Sequence, residues 1–146
     1  MSMSNASETN LLMILFNNTD WANIGDAAGL QNSAAAGSFF VALHTADPGE
    51  AGNQTTNEAA YTGYARVAIA RTAGGFAVSG NQVSNTAITQ FAECTAGSAT
   101  VTHFSVGLLT SGAGDILYSG ALSASRSVSA GITPLFNIGA LTGTID

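Results

Sequence analysis

Residues 63–72 read GYARVAIART, and this stretch indicates a β-strand with two different faces. The odd-numbered residues from 65 to 69 are apolar, and they alternate with Tyr64, Arg66 and two alanines. Because successive side chains of a strand point to opposite sides of a sheet, the odd-numbered set is expected to face a core. The alternation therefore predicts a half-buried strand of an antiparallel sheet.

Short segments of similar composition follow one another from Ser38 onward. They are rich in β-branched and aromatic residues and are separated by Gly, Asn or Ser, a pattern typical of antiparallel β proteins. The sequence predicts a mainly β fold, an antiparallel and jelly-roll-like β-sandwich. The expected strands are 38–45, 63–72, 75–79, 82–86, 88–93, 100–109, 115–119 and 127–130, with 133–139 as a possible ninth. Hairpin turns are expected at SGNQ (79–82) and SGAGD (111–115).

The N-terminal part of the chain has a different pattern. Residues 7–18 predict one short helix with Ser7 as its N-cap and a wide apolar face that includes Leu11 and Leu15. Residues 20–25 could add a helical turn that ends at Gly25. We predict a single compact domain overall, with a helical segment at 1–36 and the β-sandwich at 37–146.

The composition points to a protein that packs against other proteins. Of 146 residues, 46% are hydrophobic and 8% are charged, whereas roughly 25% are charged in an ordinary soluble domain. The chain has no lysine and a net charge of −6. Interface cores are depleted of charge in this way, although a small-residue-rich β-domain would show the same depletion. An acidic chain repels a phosphate backbone, so nucleic acid is not an expected partner.

No membrane or secretory segment is expected. The apolar run at 11–16 is far shorter than the ~20 residues that span a bilayer, and the first ten residues contain no basic side chain. One cysteine, Cys94, cannot form an internal disulfide, so the fold must depend on its hydrophobic core in a reducing compartment or on an assembly.

Catalysis and metal binding are also not expected. Cys94 lies beside a carboxylate, and the motifs of a nucleophilic cysteine are absent. The two histidines lack the short spacing of a zinc site, and the acidic residues of the long loop at 46–62 lack the regular spacing of a calcium loop. We therefore predict a protein that is not an enzyme, with no catalytic residues, no metal and no cofactor. The reactive-looking residues considered are Cys94, His44, His103, Asp47, Asp115, Glu50 and Glu58.

Several apolar and aromatic side chains are candidates for a protein interface. They could belong to the core, or they could dock the domain on a partner, because aromatic anchors contribute much of the energy of interfaces. The loop at 46–62 is longer than the usual connection of about 4–6 residues, so it either has a function or covers part of the fold. The predicted interface residues are Leu11, Leu15, Phe16, Trp21 and Tyr61.

Two groups of motifs resemble a family of small tailed-bacteriophage virion proteins. The first group is HTADPGE (44–50), TNE (56–58) and YTGYARVA (61–68), and the second is THFSVG (102–107) and SGAGDILYSG (111–120). The resemblance covers residues 39–135. Members of this family are commonly labelled tail-fibre or virion proteins.

The resemblance implies a structural protein of the virion that is assembled in the cytoplasm of the bacterial host. An acidic, lysine-free domain would be repelled by packaged DNA, so we expect it on the capsid exterior as a decoration or cement protein that stabilises contacts between capsomers. Its expected partners are the major capsid protein and further copies of itself, as a dimer or trimer. The alternative is a tail-fibre or tail-tip module that binds a receptor or glycan.

Overall fold

The computed structural model describes residues 2–145 and shows a mainly β protein with one helix near its N-terminus. This confirms the predicted fold class. The elements are α1 Asn5–Asn17, β1 Ser38–His44, β2 Val67–Ala70, β3 Phe76–Ser79, β4 Gln82–Asn85, β5 Thr89–Gln90, β6 Ser98–Gly107, β7 Ile116–Ser129, β8 Leu135–Phe136 and β9 Thr142–Thr144.

Between residues 2 and 145 the strands form three sheets. One has four strands in the order β2-β1-β6-β7, one has three in the order β3-β4-β9, and one has two, β5 and β8. The pairs β1–β6, β6–β7, β3–β4 and β4–β9 are antiparallel, as expected. The sandwich arrangement of these sheets stays a prediction.

The described residues divide into two compact units. The first contains residues 2–38, 70–88 and 136–145, and the second contains 39–69 and 89–135. Helix α1 and the three-stranded sheet lie within the first unit, and most of the four-stranded sheet lies within the second. The predicted boundary between 1–36 and 37–146 stays a prediction.

The N-cap of helix α1 lies three residues earlier than predicted. Ser4, not Ser7, is the N-cap: its backbone is extended and its side chain accepts a hydrogen bond from the Ser7 N–H at 3.3 Å. The helix ends at Asn17, and the left-handed conformation of its C-cap, Asn18 (φ 53°), stops the helical repeat. Its buried face includes Leu12 and Phe16, which are 0% and 1% exposed.

Tertiary pairing changes the extent of several predicted strands. The segments 115–119 and 127–130 belong to one 14-residue strand, β7, because β6 continues alongside both of them. The four residues 122–125 lie opposite the one residue between Val101 and His103, so β7 contains a large bulge. Strand β9 was not predicted, since TGT carries no alternation of its own and pairs with β4.

The stretch that indicated the fold is a strand over only part of its length. Strand β2 starts at Val67, and Val67 and Ile69 are the half-buried side of the alternation. Before it, Gly63 has φ 98° and the Tyr64 N–H donates to the Tyr61 carbonyl at 3.0 Å, which is a turn. Residues 63–66 are thus held by turn and side-chain bonds rather than by a β ladder.

Residues 20–25 do not form the suggested helical turn. Trp21 instead exchanges two backbone hydrogen bonds with Leu30, both 2.9 Å long, as in an antiparallel pair. Gly25 does have the left-handed conformation expected of it, but within a turn rather than at a helix end.

Candidate functional site

A buried ion pair lies among the motif residues of the second unit. Arg66 Nε and Nη2 donate to the two carboxylate oxygens of Glu58 at 2.7 and 2.8 Å, and the side chains are 2% and 17% exposed. The Tyr64 hydroxyl donates to the same carboxylate at 2.9 Å and accepts from the Leu43 N–H at 3.1 Å. The hydrogen bond to Glu58 raises the pKa of the Arg66 guanidinium, and burial raises the pKa of the Tyr64 hydroxyl.

The same arginine holds the loop between β6 and β7. Arg66 Nη1 donates to the Leu109 carbonyl at 2.9 Å, and Nη2 donates to the Gly112 carbonyl at 2.8 Å. Each of its terminal nitrogens is therefore used. Because Glu58 lies in the long loop at 46–62, one ion pair fixes two loops that are distant in sequence.

Gln54 forms a second link between these loops. It is 0% exposed; its Nε2 donates to the Phe40 carbonyl at 3.2 Å, and its Oε1 accepts from the Leu109 N–H at 2.9 Å. Its backbone N–H donates to the Gly114 carbonyl at 2.9 Å. A Cβ at Gly107 would lie 2.3 Å from the Gln54 Cδ, so the side chain needs glycine beneath it. The loop at 46–62 is thus part of the packed structure.

His44 is a structural histidine. It is 0% exposed, and its Nδ1 donates to the Thr56 carbonyl at 2.8 Å, which leaves Nε2 to accept from the Ser105 hydroxyl at 2.7 Å. Burial lowers the pKa of His44, so the ring is held neutral. Both ring nitrogens are occupied by the protein, which leaves neither for a substrate or a metal.

Two of the other reactive-looking residues lie near His44: Glu58 forms an isolated antiparallel bridge with it, and His103 is its register partner on strand β6. The Cys94 side chain is fully buried, and its thiol donates to the Ala96 carbonyl at 3.3 Å. His103 Nδ1 is bonded to the Thr102 hydroxyl at 2.8 Å. Within residues 2–145, no three His, Cys, Asp or Glu side chains are grouped as metal ligands would be. The expectation that the chain is not an enzyme stays a prediction.

The five predicted interface residues differ in how much surface they keep. Phe16 and Tyr61 are 1% and 3% exposed; the Phe16 ring packs edge-on against Phe76 in the first unit, and the Tyr61 hydroxyl donates to a backbone carbonyl in the second. Leu11, Leu15 and Trp21 are half-buried. The interface itself stays a prediction, and its direct contacts would be made by the three half-buried members.

Large exposed apolar side chains lie elsewhere, on the turns and loops. Leu108 and Leu109 are 41% and 48% exposed on the loop that Arg66 and Gln54 hold in place. In the first unit, Ile24 and Leu30 are 42% and 47% exposed. Sequence patterns could not identify these residues, because an apolar residue in a loop carries no periodic signal that separates burial from exposure. Exposed apolar side chains on a fixed backbone are more typical of a protein-binding surface than of a catalytic site.

No helix within the described residues combines the length and the apolar character needed to cross a membrane. That finding concerns residues 2–145 alone.

Comparison with known proteins gives one family. The family model described as podophage GP4 fiber I protein gp80 matches residues 2–144, and no curated protein is similar enough to match. Since the model covers nearly the whole chain, the chain belongs to this family. It is a bacteriophage structural protein of the virion, which confirms the resemblance seen in the motifs.

Proposed function

We propose that this chain is a structural module of the virion's tail fibre, which joins other virion proteins through rigid apolar loops and performs no chemistry. The observation that carries the proposal is the match of the fibre-protein family over residues 2–144. The fibre role, which was the alternative at the level of sequence, now has the stronger support. The capsid decoration role stays a prediction.

The locked loops of the second unit support a mechanical role. A loop that joins two proteins of a fibre binds more tightly if its contact residues are already fixed in position. A mobile loop would have to be ordered on binding, which costs conformational entropy. Arg66 and Gln54 remove that cost beforehand, since both bind the backbone of the loop that carries Leu108 and Leu109. Preorganisation of this kind favours binding of another protein.

The hydrogen bonds of His44 and Glu58 support the part of the proposal that assigns no catalysis to the chain. Two side chains that could act as a base or acid are already bonded within the fold: His44 to Thr56 and Ser105, and Glu58 to Arg66 and Tyr64. A catalytic group needs a free atom that can reach a substrate. For a glycan-binding role, Tyr61 would need an exposed ring, whereas it is 3% exposed. Attachment therefore fits better than sugar recognition.

The experiment is to locate the chain in purified particles. Labelling a C-terminal tag with gold and imaging the virions would show where the copies lie, and quantitative mass spectrometry would give the number of copies per particle. Label confined to the tail vertex supports the fibre role. Label spread over the head, with copies in proportion to the major capsid protein, would establish the decoration role instead. As a control, gold should be absent from particles that carry the untagged chain.

A further inference from the structure

Residues 18–33 of the first unit form a closed surface loop that is held together by several side-chain to backbone hydrogen bonds. At its base, Asn18 Nδ2 donates to the Ser33 carbonyl at 2.8 Å, and the Ser33 N–H donates to Asn18 Oδ1 at 2.9 Å. One step further, the Asn32 N–H donates to Asp20 Oδ1 at 2.7 Å. These side chains close the loop as the rungs of a sheet would.

The tip of the loop is fixed as well. Beyond the Trp21–Leu30 backbone pair, Asp26 Oδ1 accepts from the N–H groups of Ala28 and Gly29 at 2.9 and 3.1 Å. Gly29 has φ 69°, and a Cβ there would lie 2.1 Å from the Trp21 carbonyl oxygen, so the chain can close only with glycine. Hydrogen bonds therefore fix the backbone of the loop, although most residues from 22 to 30 are exposed and do not pack into a core.

This fixed loop exposes apolar side chains together with negative charge. Ile24 and Leu30 are 42% and 47% exposed, and Trp21 is half-buried beside Leu30. The charged residues of the loop are Asp20 and Asp26, both exposed and both acidic. Each uses one oxygen to hold the backbone, but its full charge remains. A partner surface must therefore combine an apolar groove with basic side chains.

The charge of the chain argues against a second copy as that partner. It has no lysine and three arginines. Arg66 is buried against Glu58, and Arg71 donates to the carbonyls of Ile14, Leu15 and Ala36. Arg126 alone of the three is exposed, and a molecule of net charge −6 repels its own copies. Each copy therefore offers one exposed arginine against two aspartates on the loop, which favours a different protein as the source of the basic groups.

We propose that residues 18–33 dock the chain on a different virion protein, whose surface offers an apolar groove for Trp21, Ile24 and Leu30 and basic side chains for Asp20 and Asp26. The inference rests on the chain being a structural virion protein, but not on whether it lies on the tail or the head. It gives the half-buried Trp21 a defined role: Trp21 is the antiparallel partner of Leu30, and paired residues project from the same face, so the ring extends the apolar strip.

Photo-crosslinking in intact particles tests the docking. A photoreactive phenylalanine analogue is placed at position 24 in the full chain, supplied during infection, and at position 138 as the matched control. Ile138 is also an exposed isoleucine, at 66%. A crosslink from position 24 to another virion protein, at a peptide containing Lys or Arg, supports the proposal. A crosslink to another copy of the chain, no crosslink, or a crosslink from position 138 alone would overturn it.

Two sets of variants test the apolar and charged parts separately. Asp20→Asn and Asp26→Asn keep an Oδ1 that accepts the backbone hydrogen bonds and remove the charge, so the chain should leave purified particles at lower salt. The double variant Ile24→Ser and Leu30→Ser should be present on particles at a copy number reduced by roughly tenfold or more relative to the unchanged chain, as expected for interface anchors. Thermal unfolding shows whether each variant is folded. Folded variants with unchanged occupancy and salt dependence would contradict the proposal.

The test is separable from that of the fibre role. Gold labelling on the head would refute the fibre role, while a crosslink from position 24 to a head protein would leave the docking loop standing. A label at the tail with no crosslink from position 24 would support the fibre role and refute the docking loop.

Discussion

Replacing Arg66 by methionine should destabilise the second unit more than any exposed charge change. The substitution removes both bonds to Glu58 and both bonds to the carbonyls of Leu109 and Gly112. Breaking a buried pair by removing one partner costs ~3–5 kcal/mol. The lower end applies, because Glu58 is 17% exposed, keeps its bond from Tyr64 and can be partly hydrated. We expect a loss of about 3 kcal/mol in the free energy of unfolding.

Urea unfolding of the purified chain, followed by circular dichroism, measures this loss. Thermal unfolding should shift down by about 10 °C, since 1 kcal/mol corresponds to roughly 2–4 °C in a chain of this size. The control is Arg126→Met, which removes an exposed arginine and should change stability by less than ~0.5 kcal/mol. Adding Glu58→Gln to Arg66→Met should restore part of the stability, because no unpaired charge is then left. A loss below ~1 kcal/mol for Arg66→Met, with an unchanged dependence of the unfolding free energy on urea concentration, would refute the conclusion that Arg66 holds the two loops together.

Three further changes test other parts of the structure. Gly107→Ala places a Cβ 2.3 Å from the Gln54 Cδ and should cost ~1–3 kcal/mol by urea unfolding, whereas Gly74→Ala, with its nearest atom at 3.6 Å, should cost far less; equal effects would contradict the packing argument. The pKa of His44 is lowered in the folded chain, so the free energy of unfolding should be constant above pH ~6.5 and fall as pH drops below it, by up to ~1.4 kcal/mol per unit until the folded pKa is passed. His44→Gln should remove this dependence between pH 7.5 and 5.5, and a variant that keeps it would assign the dependence to another group. Asn85→Ala, at a residue 1% exposed, should cost ~2–3 kcal/mol, because it leaves a buried N–H and two carbonyls without the side-chain amide; a change under ~1 kcal/mol would show that water replaces it.

The sequence predicted well those elements whose signals are local. Strand β1 follows from an apolar, aromatic run and was predicted to within one residue. The turn between β3 and β4 was predicted from SGNQ, and Gly80 has the positive φ (61°) that a two-residue hairpin needs. The short helix was predicted from its apolar face, although its N-cap was placed three residues late because two serines are available and only the fold selects Ser4.

Elements that depend on a distant partner could not be predicted in the same way. Strand β7 passes through GALSAS, which has no strand signal, and continues because β6 lies beside it. The Trp21–Leu30 pair closes a loop through a glycine and three polar side chains that are adjacent only after folding. Hydrogen bonds of this kind form only once the two segments have been brought together, so the residue pattern of either segment does not predict them.

Composition, periodicity and motifs were enough to assign the class of this protein: a mainly β chain with a short helix, acidic and without lysine, whose motifs resemble those of a phage virion protein. The tertiary structure decided which residues meet. It placed Glu58, Tyr64 and Arg66 in one buried cluster, occupied both nitrogens of His44, and put Ile24 and Leu30 on the surface. The physical reason is that composition and periodicity are properties of the chain, whereas burial and pairing are properties of contacts between segments far apart in it.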